Sequence, residues 1–550
     1  MYMKKIILLL GFLSTVTNAQ VLNHKEGFTR QDSLRGTNNE YRNWWDVTHY
    51  SVSVEPIEKD KFISGNVIIK FDEVKKQHDK LLQIDLQEPM QVKSFVLNGK
   101  TINDFKREGN VFFLNTTKGK IKSKNNSLQI SYLGNPRVAV KAPWDGGWIF
   151  AKDQQGRSWM SVAVQGLGAS AWYPNKDYQG DEPDNGADLE IIVPKELVGV
   201  GNGRLVSVKE KGNKISYKWK VVNPINNYNI IPYIGHYRGI EKKYKGEKGN
   251  LDIKYYILDY NVSNALIHFN QVELMLKSFE NWFGPYPFYE DSYKIIEAPH
   301  LGMEHQSGIA YGNGYKNGYL GRDLSGSGWG LKWDFILVHE SGHEWFGNNI
   351  TSKDIADMWI HEAFTAYSET LFTNTYYGKE AADEYVRGTR KAIQNDIPII
   401  GEYGVNQEGS GDMYYKGANM LHTLRTWMDN DQRFKEMLRG LNKEFYHQTV
   451  TTKQIENYMS NFSGLDLVAF FNQYLRTTKI PTLQIKQNGN RIEFKYTNVV
   501  DGFTMPLHLK DSKKVIYPTT TWQILDDSSI NKAIDLSIDP NYFIETHIEL

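Results

Sequence analysis

Two histidines four residues apart, with a glutamate directly after the first, constrain this 550-residue chain more than any other feature. They lie in Phe335-Ile336-Leu337-Val338-His339-Glu340-Ser341-Gly342-His343, an apolar approach running into an HExxH pattern. On a helix, positions i and i+4 stand one turn apart on the same face, so both imidazoles reach one metal ion. Neutral imidazole is a good zinc ligand, and a catalytic zinc takes three protein ligands and keeps one position open. Glu340, beside the first ligand but not itself one, is placed to take a proton from water. The third ligand is expected from a separate segment. Glu362 is the candidate, inside a second helical run from Met358 to Phe372. Two turns further along the same face, Glu369 is placed to orient a ligand histidine. The apolar approach and the following helical carboxylate favour a metal site over a pair of packed core histidines. Spacing alone says only zinc hydrolase.

HESGHEWFGN followed by WIHEAFTAY resembles the zinc core of the aminopeptidase N family. These are gluzincins with a thermolysin-like catalytic domain, and the leukotriene-hydrolysing aminopeptidase is among them. The resemblance implies that His339, His343 and Glu362 bind one zinc ion per chain and that Glu340 is the general base. Leu301-Gly302-Met303-Glu304-His305 resembles the family's exopeptidase signature, with Leu301 where Gly is usual and His305 where Asn is usual. It implies that Glu304 holds the free amine of the substrate from an edge strand. The chemistry fits: a protonated α-amine needs a carboxylate, and a carboxylate at a set distance from the metal measures off one residue. Met303 is a candidate wall for the first side chain, where a flexible thioether tolerates several shapes. Tyr414-Tyr415-Lys416-Gly417 resembles a Tyr-x-Lys-Gly element whose phenol stabilises the oxyanion. That register selects Tyr414, with Tyr415 as the fallback. The segment from Gln165 to Pro174 resembles one whose Gln faces the substrate's first residue, which implies Gln165 as a binding residue.

The remaining chain frames that core. Lys plus Arg equals Asp plus Glu at 64 each, so overall charge points to no nucleic-acid partner. Met1 to Gln20 reads as an export leader, with Lys4-Lys5, an apolar Ile6–Leu13 run and cleavage expected after Ala19. That run is too short to span a bilayer, so no stable membrane insertion is expected after cleavage. The chain has no cysteine, hence no disulfides, and stability must come from core burial and the metal. Export without cysteine points to a bacterial periplasm or secretion.

From about Tyr41 to Tyr260 short alternating segments are separated by turn signals, with Asn98-Gly99 a strong hairpin signal. Trp144, Trp148, Trp159 and Trp172 read as packing more than as a binding platform. A helical period begins near Asn261, and alternation returns after Pro481.

The expected architecture is α+β and multidomain. A leader (1–19) is followed by an all-β saddle or sandwich (20–260), a mostly helical thermolysin-like catalytic domain (261–478) and a small C-terminal β-sandwich (479–550). The large C-terminal helical domain of many relatives is not expected. The expected function is removal of N-terminal residues from peptides with a free amine. Rivals are a zinc endopeptidase or another zinc hydrolase, such as an epoxide-opening enzyme, and a non-catalytic exported peptide-binding protein.

Overall fold

The structure, a computed structural model, describes residues 27–510, 512, 514–526, 530 and 532–549. The expected leader lies outside the described residues. In the first part of the chain, eight strands form one mixed sheet whose edges are Arg204–Lys211 and Lys100–Ile102. Its centre is Trp45–Ile57, paired antiparallel with Phe62–Glu73 and parallel with Ala187–Pro194. Val52 and Val54 turn into the core and Ser51 and Ser53 turn away, the period-2 pattern of a sheet with one buried face. Asn98 and Gly99 both have positive φ, 50° and 78°, the backbone that a two-residue hairpin requires. A four-stranded sheet that includes Gly147–Lys152 and Ser158–Ala163 shares this core. Trp148 and Trp172 are fully buried in it, in the packing role expected of them.

Tyr237–Gly246 and Gly249–Leu258 join a different sheet. They lead into a five-stranded sheet through the parallel pairing of Gly249–Leu258 with Tyr293–Glu297. Ile309–Tyr311 follows, and the short strand Gly302–Met303 forms the edge. By hydrogen bonding, the strands between Tyr237 and Leu258 thus belong to the sheet that carries Gly302–Met303. Alternation identifies a strand but not the sheet it will join.

Three helices then shape the site. Phe335–Gly342 is capped by Asp334, whose side chain accepts from Leu337 N, and every residue in it is buried. His343 follows as its C-cap with φ −63° and ψ −20°, so the one-turn spacing to His339 survives the end of the helix. Trp359–Tyr377 crosses beside it, and Tyr415–Met428 packs against that helix where Gly417 meets Ala363. A Cβ at Gly417 would stand 2.5 Å from the Ala363 Cβ, so only glycine admits this approach.

The last strands form a sheet in which Thr482–Asn488 lies between Arg491–Thr497 and Glu545–Glu549. Their apolar side chains continue the catalytic core without a break. Among the described residues no helix is long and apolar enough to cross a membrane.

Candidate active site

His339 and His343 meet Glu362 in a single buried cluster whose three ligand atoms lie within 4.8 Å of one another. Glu362 Oε2 is 3.7 Å from His339 Nε2 and 3.4 Å from His343 Nε2. An ion bound at about 2.0–2.1 Å to each ligand would separate tetrahedral ligand atoms by roughly 3.4 Å, so these three fit zinc. Each ring's outer nitrogen is already engaged. His339 Nδ1 is 2.7 Å from Glu369 Oε1, and His343 Nδ1 is 3.0 Å from the Phe346 carbonyl. Those acceptors place the proton on Nδ1 and turn the Nε2 lone pairs towards Glu362. Glu362 Oε2 is buried without a hydrogen-bond partner, which is costly unless a cation takes it.

Electrostatics agrees with the geometry. Burial alone would lower both histidines, yet Glu362 raises His343, and Glu362 with Glu369 raises His339. The surrounding carboxylates thus favour positive charge at the point between the rings. Glu369 is itself fixed by the Tyr385 hydroxyl, which donates to Oε2 at 2.6 Å.

Glu340 is buried on the motif helix beneath the edge strand. A Cβ at Gly302 would lie 2.7 Å from Glu340 Oε1, so the strand backbone passes directly over it. Burial pushes its carboxyl up to about 7, helped by Glu304 and Glu362 against the two histidines. Tyr414 stacks its ring 6.0 Å from that of His339, and its hydroxyl feels Glu362. Tyr415 instead faces Glu369 and Tyr319. The structure therefore puts Tyr414, not the fallback, beside the ligand cluster.

Glu304 is 2% exposed, yet it faces the cluster rather than a separate core. Burial raises its carboxyl, while His343 and Glu362 act on it in opposite directions. Gln165 donates from Nε2 to Glu304 Oε1 at 2.6 Å, which brings a segment 139 residues away to the same carboxylate. Met303, on the alternate side of the strand, packs into the apolar core shared with the β domain.

The two departures from the exopeptidase pattern have structural work. The Leu301 side chain is partly buried and packs against the catalytic core, which a glycine could not do. The Tyr233 hydroxyl donates to the Gly308 carbonyl at 2.8 Å and lies 2.6 Å from His305 Nδ1, so His305 braces the turn after Glu304.

Two residues around Glu304, Tyr228 and Asn229, carried no recognisable mark in the sequence, and Asn348, which ends HESGHEWFGN, carried none that tied it to Glu304. Tyr228 donates to Glu304 Oε1 at 2.9 Å, Asn348 donates to the Glu304 carbonyl at 2.7 Å, and Asn229 donates to Asn348 Oδ1 at 2.7 Å. Their grouping arises from long-range folding, and a lone Tyr or Asn in a loop carries no period or spacing.

Residues 268–474 match the sequence profile of the peptidase family M1 domain. The matched stretch is similar to an M1 peptidase domain and makes up under half of the chain. The matched residues include the His339, His343 and Glu362 cluster, Glu340, Glu304 and Tyr414. Aminopeptidase 2 of Candida albicans is 21% identical to this chain over 532 residues, covering 90% of it and 54% of that protein. Leukotriene A-4 hydrolase of Xenopus laevis is 24% identical over 292 residues, covering 50% and 45%. The chain spans about half the length of these curated relatives.

Among solved structures, an M1 zinc metallopeptidase from Deinococcus radiodurans, a mutant with a bound Tyr-Ser-Ala substrate, aligns with TM-score 0.65 at 17% identity. That alignment covers 80% of this chain and 96% of that one. Native yeast LTA4 hydrolase aligns with TM-score 0.64 at 17% identity, covering 79% and 68%. The fold of these structures is thus shared along most of the chain.

Proposed function

We propose that this protein is a zinc-dependent aminopeptidase, exported to the periplasm or the exterior, that removes N-terminal residues from peptides with a free amine. One observation carries the reading: the buried Glu304 carboxylate lies within electrostatic reach of His343 and Glu362 of the cluster and of Glu340 beside it. An endopeptidase must admit chain on both sides of the scissile bond and gains nothing from a carboxylate there. His339, His343 and Glu362 would hold one zinc ion, which supplies a Lewis acid for the scissile carbonyl and for water.

In the proposed mechanism Glu304 grips the substrate ammonium by a charge-assisted hydrogen bond and brings the first peptide carbonyl over the cluster. Glu340 accepts a proton from water as the water oxygen adds to the carbonyl carbon. The Tyr414 hydroxyl donates a hydrogen bond to the oxyanion that forms. Glu340 then delivers its proton to the departing nitrogen as the C–N bond breaks, leaving the free amino acid and the shortened peptide. Burial of Tyr414 and Glu362 raises the phenol far above neutrality, so it remains a donor throughout.

Glu340→Gln tests the base assignment. It is expected to lower kcat by about 10²–10⁴, the range for a positioned general base. Zinc content by atomic emission should be unchanged, because the substituted side chain is not a ligand. Parental turnover of an amino-acyl arylamide by this variant would sink the assignment. Equal cleavage of free and N-acetylated peptides by the parent would favour an endopeptidase instead.

A further inference from the structure

The amine anchor is supported from the other domain. Tyr228 and Asn229 lie in the turn Asn227–Asn229, which belongs to the N-terminal β part. That turn is rigidly seated: Asn227 Nδ2 donates to Asn175 Oδ1 at 3.0 Å and to the Lys176 carbonyl at 2.7 Å. The Tyr173 hydroxyl donates to the Asn227 carbonyl at 2.9 Å. From it the Tyr228 hydroxyl reaches Glu304 Oε1 at 2.9 Å, the same oxygen that takes Gln165 Nε2 at 2.6 Å. The neighbouring Asn229 holds Asn348, whose side chain donates to the Glu304 carbonyl and whose backbone N–H donates to the His343 carbonyl at 3.0 Å. One β-domain turn is therefore linked both to the anchor's carboxylate and, through Asn348, to the backbone of a metal ligand.

We propose that Tyr228 is a positioning residue for the substrate's amino terminus. With Gln165 it commits Oε1 of Glu304 to the protein, so that the ammonium is received by Oε2. The turn that carries it sets, through Asn229 and Asn348, how far that ammonium sits from His343. This inference rests on the aminopeptidase reading and deepens it. A carboxylate held at one oxygen by two donors cannot swing about its terminal bond, so the second oxygen keeps one direction. A carboxylate left loose in the same place would still attract an amine, but would hold its carbonyl at no fixed height over the cluster.

The test uses the full zinc-loaded chain and two ligands, L-leucine hydroxamate and its counterpart lacking the amine, 4-methylpentanohydroxamic acid. Tyr228→Phe removes a single hydroxyl. It is expected to weaken leucine hydroxamate about tenfold, the scale of one hydrogen bond to a charged group. Binding of the amine-free ligand should stay within about twofold by the same measure. KM for leucine p-nitroanilide should rise more than kcat falls, with zinc content unchanged. Equal weakening of both ligands would show a merely structural prop and overturn the proposal, as would no change in either.

Glu304→Gln, run alongside, separates this idea from the one beneath it. If that substitution weakens both ligands equally, or neither, the anchor assignment itself falls. If it weakens the amine-bearing ligand selectively and Tyr228→Phe does not, only the role of Tyr228 falls. Should Tyr228→Phe not fold, Gln165→Met removes the other donor to Oε1. It must then weaken the amine-bearing ligand selectively, or the shared-oxygen arrangement is wrong.

Discussion

His339, His343 and Glu362 come from two helices close together in sequence, whereas Glu304 is surrounded by Gln165, Tyr228 and Asn348 from widely separated segments. The first group is held by helix geometry: one turn sets the two rings, and a neighbouring helix delivers the carboxylate. The second is held by the meeting of a β domain with an edge strand. A site made from adjacent helices needs only local folding to be nearly right. A site made across a domain interface is right only when both domains are packed. On the proposed function the difference separates two roles as well, because the local group would hold the ion while the assembled one would select the substrates.

The sharpest way to break that contrast is to remove one member of the local group. Glu362→Ala deletes a ligand and should leave dialysed protein with almost no zinc and no measurable peptidase activity. The hydrogen bonds of Gln165 and Tyr228 to Glu304 involve other elements and should persist, so thermal unfolding of metal-free parent and variant should nearly coincide. Stoichiometric zinc in the variant would show that the cluster is not the ligand set.

A smaller effect is expected one step outward. Glu369 holds His339 Nδ1 at 2.7 Å and is itself held by Tyr385. Glu369→Gln keeps a possible hydrogen bond but loses the charge, and should weaken zinc binding by about 10–100-fold. Competition with a chelator measures this directly. Unchanged affinity would mean that the Phe346 carbonyl on His343 and the packing around the rings suffice to orient the pair.

The same contrast explains what the sequence disclosed. His339, His343, Glu340, Glu362 and Glu369 were legible because helical period converts sequence spacing into a shared face. Asn98-Gly99 was legible because few residues tolerate its backbone. Glu304, Tyr414 and Gln165 stood out only through resemblance to a family, since a lone carboxylate, phenol or amide in a loop has no period to betray it. Tyr228 and Asn229 had neither mark, and Asn348 lay inside HESGHEWFGN with nothing to tie it to Glu304. Strand Tyr237–Gly246 read as a strand but not as part of the catalytic sheet, because partner choice depends on residues far along the chain. His305 looked like a departure from pattern, and only its bond to Tyr233 shows what it does.

The mildest expected effect concerns the interface itself. Glu182, in the β part, lies 3.3 Å from Asn226 Nδ2 and also bonds to Thr351 of the catalytic part. Burial, opposed by those two hydrogen bonds and assisted by Asp181, pushes its carboxyl up to about 7 from an ordinary 4.5. The folded state therefore binds more protons than the unfolded state between those values. The stabilisation is full below about 4.5 and is lost as pH rises to about 7, with a slope of at most about 1.4 kcal/mol per unit. Glu182→Gln is neutral throughout and should flatten that part of the stability profile. Guanidinium unfolding of metal-free parent and variant at pH 5, 6 and 7, values chosen at roughly one-unit steps across the window, measures the difference. Parallel profiles would show that Glu182 ionises freely and that the two domains meet without this proton. A gap that is widest at the acid end and closes towards neutrality would carry the opposite sign and exclude burial as the cause. The expected agreement at about pH 5, opening towards neutrality as the parent falls below the variant, would show that the interface around Glu304 is more sensitive to solution conditions than the helices that carry His339, His343 and Glu362.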